Sequence, residues 1–271
     1  MPRLPTERIV ELSYLADGLI HPPSKNNLLV WWHPNPARLP IFTMSETYSL
    51  TNNLPVNQQI YRFLRKDIVD CTIPPGTLLS EKEISTRFCV SRQPVREAFI
   101  KLAEAGLVQI LPQRGTFVMK ISAKRVADGR FIRQAVECAI VRRAAQRITP
   151  EQLMTLEHNL HRQTLAAQNR QTREFLALDD EFHQLLTQFA DCPLAWETIE
   201  TIKATMDRVR FLSLSEVSPP ESLIQQHYRI FEALKAQDAN AAERAIHEHL
   251  QEMIYSITPI SLQNTEWFEV E

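Results

Sequence analysis

Four side chains in the C-terminal half are of the types that hold metal ions. Asp179 and His183 stand four apart in LDDEFHQLL, His227 lies in QQHYRIFEAL, and His249 lies in IHEHLQEM. On a helix, Asp179 and His183 share a face, offset by only about 40°. Each has neighbours that a helix would turn inward: Leu178 and Phe182, Ile224 and Phe231, Ala245 and Ile246. Three imidazoles and one carboxylate can bind one divalent ion of the zinc, nickel or manganese kind. An octahedral ion would keep two positions for water or for a ligand's carboxylate. The same residues also suit hydrogen-bonded boundary histidines and a plain i,i+4 pair. His158 and His161 read as solvated, and His247 points away from His249. A second set, Arg92, Gln93 and Arg96, crowds the start of a stretch opening at Ser91. Arg matches the O6/N7 edge of guanine and Gln the N6/N7 edge of adenine, and either can hold a phosphate. Alone, the three also suit a solvated helix.

The elements around the second set decide its reading. Ser80 followed by Glu83 is a capping box, so a helix starts at Glu81, with Ile84 and Phe88 on one face. It stops at Cys89–Val90. Ser91 caps the next helix, and Pro94 sits in its first turn, where a missing N–H does no harm. Val95, Ala98, Phe99 and Leu102 point inward from it. Downstream, Leu107–Ile110 and Thr116–Met119 are short β-rich runs joined by LPQRG, a hairpin with Arg114 and Gly115 at its tip. Upstream, Asn57–Cys71 has a helical period through Ile60, Phe63, Leu64 and Ile68. Helix, helix, recognition helix and β-wing make a winged helix-turn-helix.

Residues 123–256 read as helix throughout, with almost no glycine. The first helix is expected over Lys124–Ile148 with Phe131, Ala135, Cys138, Val141 and Ala145 on its inner face. Thr149–Pro150 starts a second, to Asn169. Others follow over Thr172–Phe189, Leu194–Leu214, Pro220–Ala236 and Ala239–Ile257. The fold class is therefore mainly α: a winged module with a small β-wing, then an all-α antiparallel bundle. The domains are 1–54, a Pro-rich and polar extension; 55–120, winged; 121–257, helical; and 258–271, a tail expected to wander, with Trp267 and Phe268 as its candidates for docking. Seven of the seventeen prolines fall in the first 43 residues. A short helix over Glu7–Ile20 and a natural start at Met44 are the readings for that extension.

Net charge is −2, but it is unevenly spread. Residues 55–120 hold ten Lys/Arg against six Asp/Glu, and residues 121–271 hold sixteen against twenty-two. A basic module tied to an acidic one suits a nucleic-acid reader joined to a sensor. Cys71, Cys89, Cys138 and Cys192 are far apart and form no CxxC pair, which disfavours a disulfide framework and fits a reducing cytoplasm. No apolar run approaches the roughly 18 residues that would span a membrane.

The runs PPGTLLSEKEIS, VSRQPVREAFIKLAEAGLV and RGTFV closely resemble the GntR family of bacterial regulators, over about Val56 to Lys120. The resemblance implies that Lys82, Ser91, Arg92, Gln93, Arg96, Arg114 and Gly115 touch DNA. Gln93 stands where relatives often carry Ser or Thr. The runs FIRQAVECAIVRRAA, LDDEFHQLLTQFADCPLAW and HYRIFEALKAQDANAAERAIHEHL resemble the FCD-type ligand-binding domain of the FadR subfamily, over about 125–255. It implies that Asp179, His183, His227 and His249 occupy the family's metal positions. It also implies that Arg133 clamps an acidic effector, although a structural Arg133–Glu137 ion pair fits that spacing equally. The expected function is a DNA-binding transcription regulator of the repressor type. A homodimer would read the halves of a pseudo-palindromic operator, because a two-fold protein matches a two-fold site. A small carboxylate metabolite would bind at the metal. Two alternatives remain: a metal-free acyl-ligand sensor, and a metal-dependent hydrolase. The hydrolase reading lacks a motif-placed general base and would leave the DNA module idle.

Overall fold

The computed structural model describes residues 49–51 and 53–270. The Glu7–Ile20 helix and the start at Met44 lie outside these residues.

The winged module begins with α1 (Val56–Val69), β1 (Leu78–Leu79), α2 (Glu81–Arg87) and α3 (Arg92–Glu104). It closes with β2 (Val108–Leu111) and β3 (Gly115–Val118). The three strands form an antiparallel sheet in the order β1-β3-β2, with Leu111 opposite Gly115 at the hairpin end. Strand β1 has only two residues, too few for an alternating pattern. Ser80 caps α2, its Oγ accepting the Glu83 N–H at 3.3 Å, but the return bond from the Glu83 side chain that would complete a capping box is absent among the described residues. Ser91 occupies the cap of α3, but its hydroxyl accepts no cap hydrogen bond. Ile60, Leu64, Ile84, Phe88, Val95, Phe99, Leu102, Val108 and Val118 share one core. Full burial of each such side chain contributes roughly 1.5–3 kcal/mol. At the wing tip, Gly115 has φ +110°, and a Cβ there would meet Leu78 Cδ1 at 2.6 Å. Only glycine suits that backbone.

The helical part comprises α4 (Ala123–Ala145), α5 (Pro150–Gln168), α6 (Thr172–Phe189) and α7 (Pro193–Lys203). It continues with α8 (Asp207–Glu216), α9 (Pro220–Lys235) and α10 (Ala239–Gln263). A reciprocal capping box at Thr149 and Gln152 starts α5. Three expectations need correction. The inner face of α4 includes Val141 and Ala145 as expected but not Phe131, which is 66 % exposed; Val126, Gly129, Arg133 and Glu137 point inward instead of it. The helix turns a charged pair toward the interior, and a period count that scores charges as solvent-facing misses it. The helix expected over Leu194–Leu214 is two helices. No Gly or Pro marks the break; i→i+3 bonds from Thr205 to Ile202 and from Met206 to Lys203 tighten the chain there. Finally, residues 258–270 do not wander, and Phe268 docks as one of the two candidates for it. Helix α10 runs through Pro259 to Gln263, keeping Ile260 fully buried. A short 3₁₀ turn follows at Thr265–Trp267, and Phe268 is buried beside Ile121. Ile121 donates to the Trp267 carbonyl at 2.8 Å and accepts from the Glu269 N–H at 2.9 Å. The chain's last residues thus pair with the segment joining the winged and helical parts.

Candidate functional site

Helices α6, α9 and α10 bring Asp179, His183, His227 and His249 together. One ligand atom from each lies within 4.8 Å of all the others, and all four residues are buried. His249 Nε2 is 3.2 Å from His183 Nε2 and 3.3 Å from His227 Nε2. Asp179 Oδ1 lies 3.5 Å from His227 Nε2, and Asp179 Oδ2 lies 3.9 Å from His183 Nε2.

The outward nitrogens fix the tautomers. His183 Nδ1 meets Glu137 Oε2 at 2.5 Å, His227 Nδ1 meets Gln163 Oε1 at 2.8 Å, and His249 Nδ1 meets Gln226 Oε1 at 2.9 Å. Each Nδ1–H therefore donates to an oxygen, and each Nε2 turns a lone pair inward. Burial drives the His227 pKa down to about 3, with Asp179 opposing. Burial, then the neighbouring imidazoles, holds His249 well below the ordinary histidine value. Burial works to raise the Asp179 pKa, but the Arg210 guanidinium and then the imidazoles prevail, so the carboxyl lies well below the usual range. The arrangement is three imidazoles whose Nε2 atoms converge and one carboxylate. Facing lone pairs repel unless a cation sits between them. Two donors each about 2.1 Å from one ion lie roughly 3.0–3.4 Å apart. The Nε2 spacings fall in that range, so these residues fit a divalent ion.

Arg133 makes the structural pair that its spacing allows. Its Nε donates to Glu137 Oε1 at 2.5 Å, the structural pair. Its Nη2 is buried without a hydrogen-bond partner among the described residues, although the side chain is only 3 % exposed. Arg133 lines a cavity of about 50 Å³ together with Asp179, Arg210, Ser218, His249 and Glu252. One water needs roughly 10–15 Å³ of such space, so the cavity takes a few heavy atoms. Arg210, near the middle of α8, bonds Asp179 Oδ2 directly. Sequence reasoning missed Glu137 as the His183 partner and missed Gln163 and Gln226 altogether. Gln226 adjoins His227 in the sequence, but nothing local marks Gln163, which reaches His227 from α5 across 64 positions. His158, His161 and His247 are exposed, as read.

The seven residues expected at DNA lie on one module, and Lys82, Ser91, Arg92, Gln93, Arg96, Arg114 and Gly115 are all exposed. Arg92 and Gln93 open α3, and Arg114 is at the wing tip. Two of the seven are engaged within the protein. Arg96 makes a fork to Glu81, at 3.1 Å from Nε and 3.0 Å from Nη2. Gln93 Nε2 donates to Glu97 Oε1 at 3.0 Å, and Asn57 donates to the other Glu97 oxygen at 2.7 Å. The side chains of Lys82, Arg92 and Arg114 have no hydrogen-bond or ion-pair partner among the described residues.

A winged helix-turn-helix joined to a helical bundle with a buried His₃Asp cluster defines a class: a DNA-binding module coupled to a sensor. Comparison with known proteins narrows it. The description "Bacterial regulatory proteins, gntR family" matches residues 56–118, and the FCD domain matches residues 130–252. The chain is 59 % identical to the "HTH-type transcriptional repressor RspR" of Escherichia coli K12 over 228 residues, covering 84 % of this chain and all of that protein. A Streptomyces ambofaciens regulator is 35 % identical, covering 84 % of this chain and 94 % of its own length. A crystal structure of a GntR transcriptional regulator from Rhodococcus sp. RHA1 superposes with a TM-score of 0.63 at 25 % identity, over 75 % of this chain and 97 % of that one. E. coli McbR/YncC shares the fold, with a TM-score of 0.66 at 20 % identity, over 76 % of this chain and 99 % of that one. The chain belongs to the GntR family of bacterial transcription regulators and carries the FCD domain of its FadR-type subfamily. The family is one of regulators rather than enzymes, which sets the hydrolase reading aside.

Proposed function

We propose that this protein is a cytoplasmic transcriptional repressor that binds a pseudo-palindromic operator as a homodimer. A small carboxylate metabolite, bound at a divalent ion held by Asp179, His183, His227 and His249, releases it. The observation that carries this reading is the convergence of three Nε2 lone pairs and one carboxylate within 4.8 Å. The exposed row on α2, α3 and the wing supports DNA contact, and the RspR likeness supports repression. No described helix is long and apolar enough to cross a membrane. The ion, when bound, supplies a Lewis-acidic partner for a carboxylate. Arg133 Nη2 supplies a second partner, since a guanidinium recognises carboxylates through paired N–H bonds. The small volume of the cavity argues against a long acyl chain. Effector binding would change operator affinity by a coupling on the order of 1–3 kcal/mol.

Elemental analysis of purified protein tests the metal. One ion per chain is expected, lost in His227→Ala, and that variant should still bind the operator but lose the response to a carboxylate effector. Protein that neither carries an ion nor takes one up after reloading would remove the metal from this reading.

A further inference from the structure

The Asp179 carboxylate is held by more than the histidines. Arg210 Nη2 bonds Asp179 Oδ2, and Arg210 Nη1 reaches Asp180 Oδ1 at 2.8 Å and Asp207 Oδ1 at 3.2 Å. Asp207 Oδ2 then accepts from Arg65 Nη2 at 2.7 Å, and Arg65 lies on α1 of the winged module. Lys203 closes the cluster, at 2.7 Å from Asp180 and 3.0 Å from Asp207. Three carboxylates thus face three cations, most of them buried. Among the described residues, Arg210 alone bonds both Asp179 and Asp207.

We propose that Asp179, Arg210, Asp207 and Arg65 form a relay that carries the state of the metal site to the winged module, with Arg210 and Arg65 as its positioning residues. The inference rests on the metal-site reading above and adds its route to DNA. In a mostly buried cluster with balanced charge, weakening one pairing redistributes the others. An ion between the imidazoles draws the Asp179 carboxylate toward itself and weakens its hold on Arg210. Arg210 then shifts its bonding to Asp180 and Asp207. Asp207, already shared among three cations, loosens on the most exposed of them, Arg65. Two further observations fit. Arg210 lies in the wall between the small cavity at the metal site and a second cavity of about 350 Å³, lined by Arg62, Arg65, Asp180 and Asp207. Arg65 therefore has open space beside it. A different ion pair, Arg173 to Asp70 at 2.5 Å, also ties the bundle to the end of α1 but makes no bond to Asp179. It serves as an internal control.

The test uses the full chain, zinc alone, and a duplex selected by the wild-type protein from a random-sequence library. Operator Kd is measured on chelator-stripped protein and after zinc reloading. A coupled wild type should show a ratio of about fivefold or more. Arg65→Gln should bind zinc stoichiometrically, yet its ratio should fall below about twofold, and Arg173→Gln should keep the wild-type ratio. An Arg65→Gln ratio equal to the wild type overturns the relay, and so does an equal collapse in Arg173→Gln. A wild type that loads zinc without any change in Kd overturns the relay and leaves the metal site standing. A wild type that takes up no zinc overturns both. Amide exchange along α1 in the unsubstituted protein gives a second measurement: zinc should alter it, and an unchanged pattern counts against the relay.

Discussion

The two halves of this chain bury different things. The winged module packs mostly hydrocarbon inside and leaves Arg92, Arg96 and Arg114 exposed to water. The helical half has apolar cores of its own, but it also buries Arg133, Glu137, Asp179, Lys203, Asp207 and Arg210. Apolar packing is indifferent to ions and pH. Buried charge is tolerable only while it is paired, so it responds to anything that adds or removes charge nearby. One half is built to keep its shape and the other to register a change.

This contrast can be broken from either side. The largest effects belong to the two cores. Phe99→Ala should cost the winged module about 3–5 kcal/mol through the cavity it leaves. Arg210→Met should cost the helical half about 3–5 kcal/mol by leaving three carboxylates short of a cation. Chemical denaturation of both variants, followed by hydrogen exchange in each half, shows whether each loss stays in its own half.

Acid should separate the halves next. Burial opposes ionisation of Glu137, but Arg133 and then His183 hold its pKa down at about 2. A carboxylate with a depressed folded pKa stabilises the fold above its unfolded value and loses that contribution as pH falls toward the folded one. For Glu137 the window runs from about pH 4.5 down to about 2 and carries on the order of 3 kcal/mol. His227 acts in the same direction. Its folded pKa of about 3 lies below its unfolded value, so protonation of the unfolded chain draws stability away from about pH 6.5 downward. In metal-stripped protein the helical half should therefore lose exchange protection at a higher pH than the winged module. Loss of both at the same pH would remove the distinction.

Arg96→Ala should weaken operator binding by about 1–3 kcal/mol while leaving the melting temperature within a degree or two, because its bond to Glu81 is exposed. Titrations against the selected duplex and a scrambled one read this directly. The smallest effect is Phe131→Ala, expected within about 0.5 kcal/mol for the isolated chain because most of the side chain is already in water. A larger loss that depends on protein concentration would place Phe131 in a contact between copies.

The winged module was almost wholly legible in the sequence because its signals are local. Ser80 and Glu83, Pro94, and the β-rich runs on either side of LPQRG each speak for a few residues. The two-residue strand β1 escaped because it has no pattern of its own. In the helical half, the spacing of Asp179 and His183 showed two ligands on one face. The convergence of three helices was a matter of resemblance until the geometry placed their atoms together. What stayed hidden lay across long separations. Gln163 contacts His227, and Glu137 contacts His183 across 46 positions; no window of sequence holds both partners. The break between α7 and α8 was hidden for a related reason, since no breaker residue lies there.

The pairing of Ile121 with Trp267 and Glu269 changes what the end of the chain is for. A stop after Gln263 would not trim a loose end. It would unlatch the joint between reader and sensor, and a bulky fusion placed just beyond Phe268 would press on the same latch.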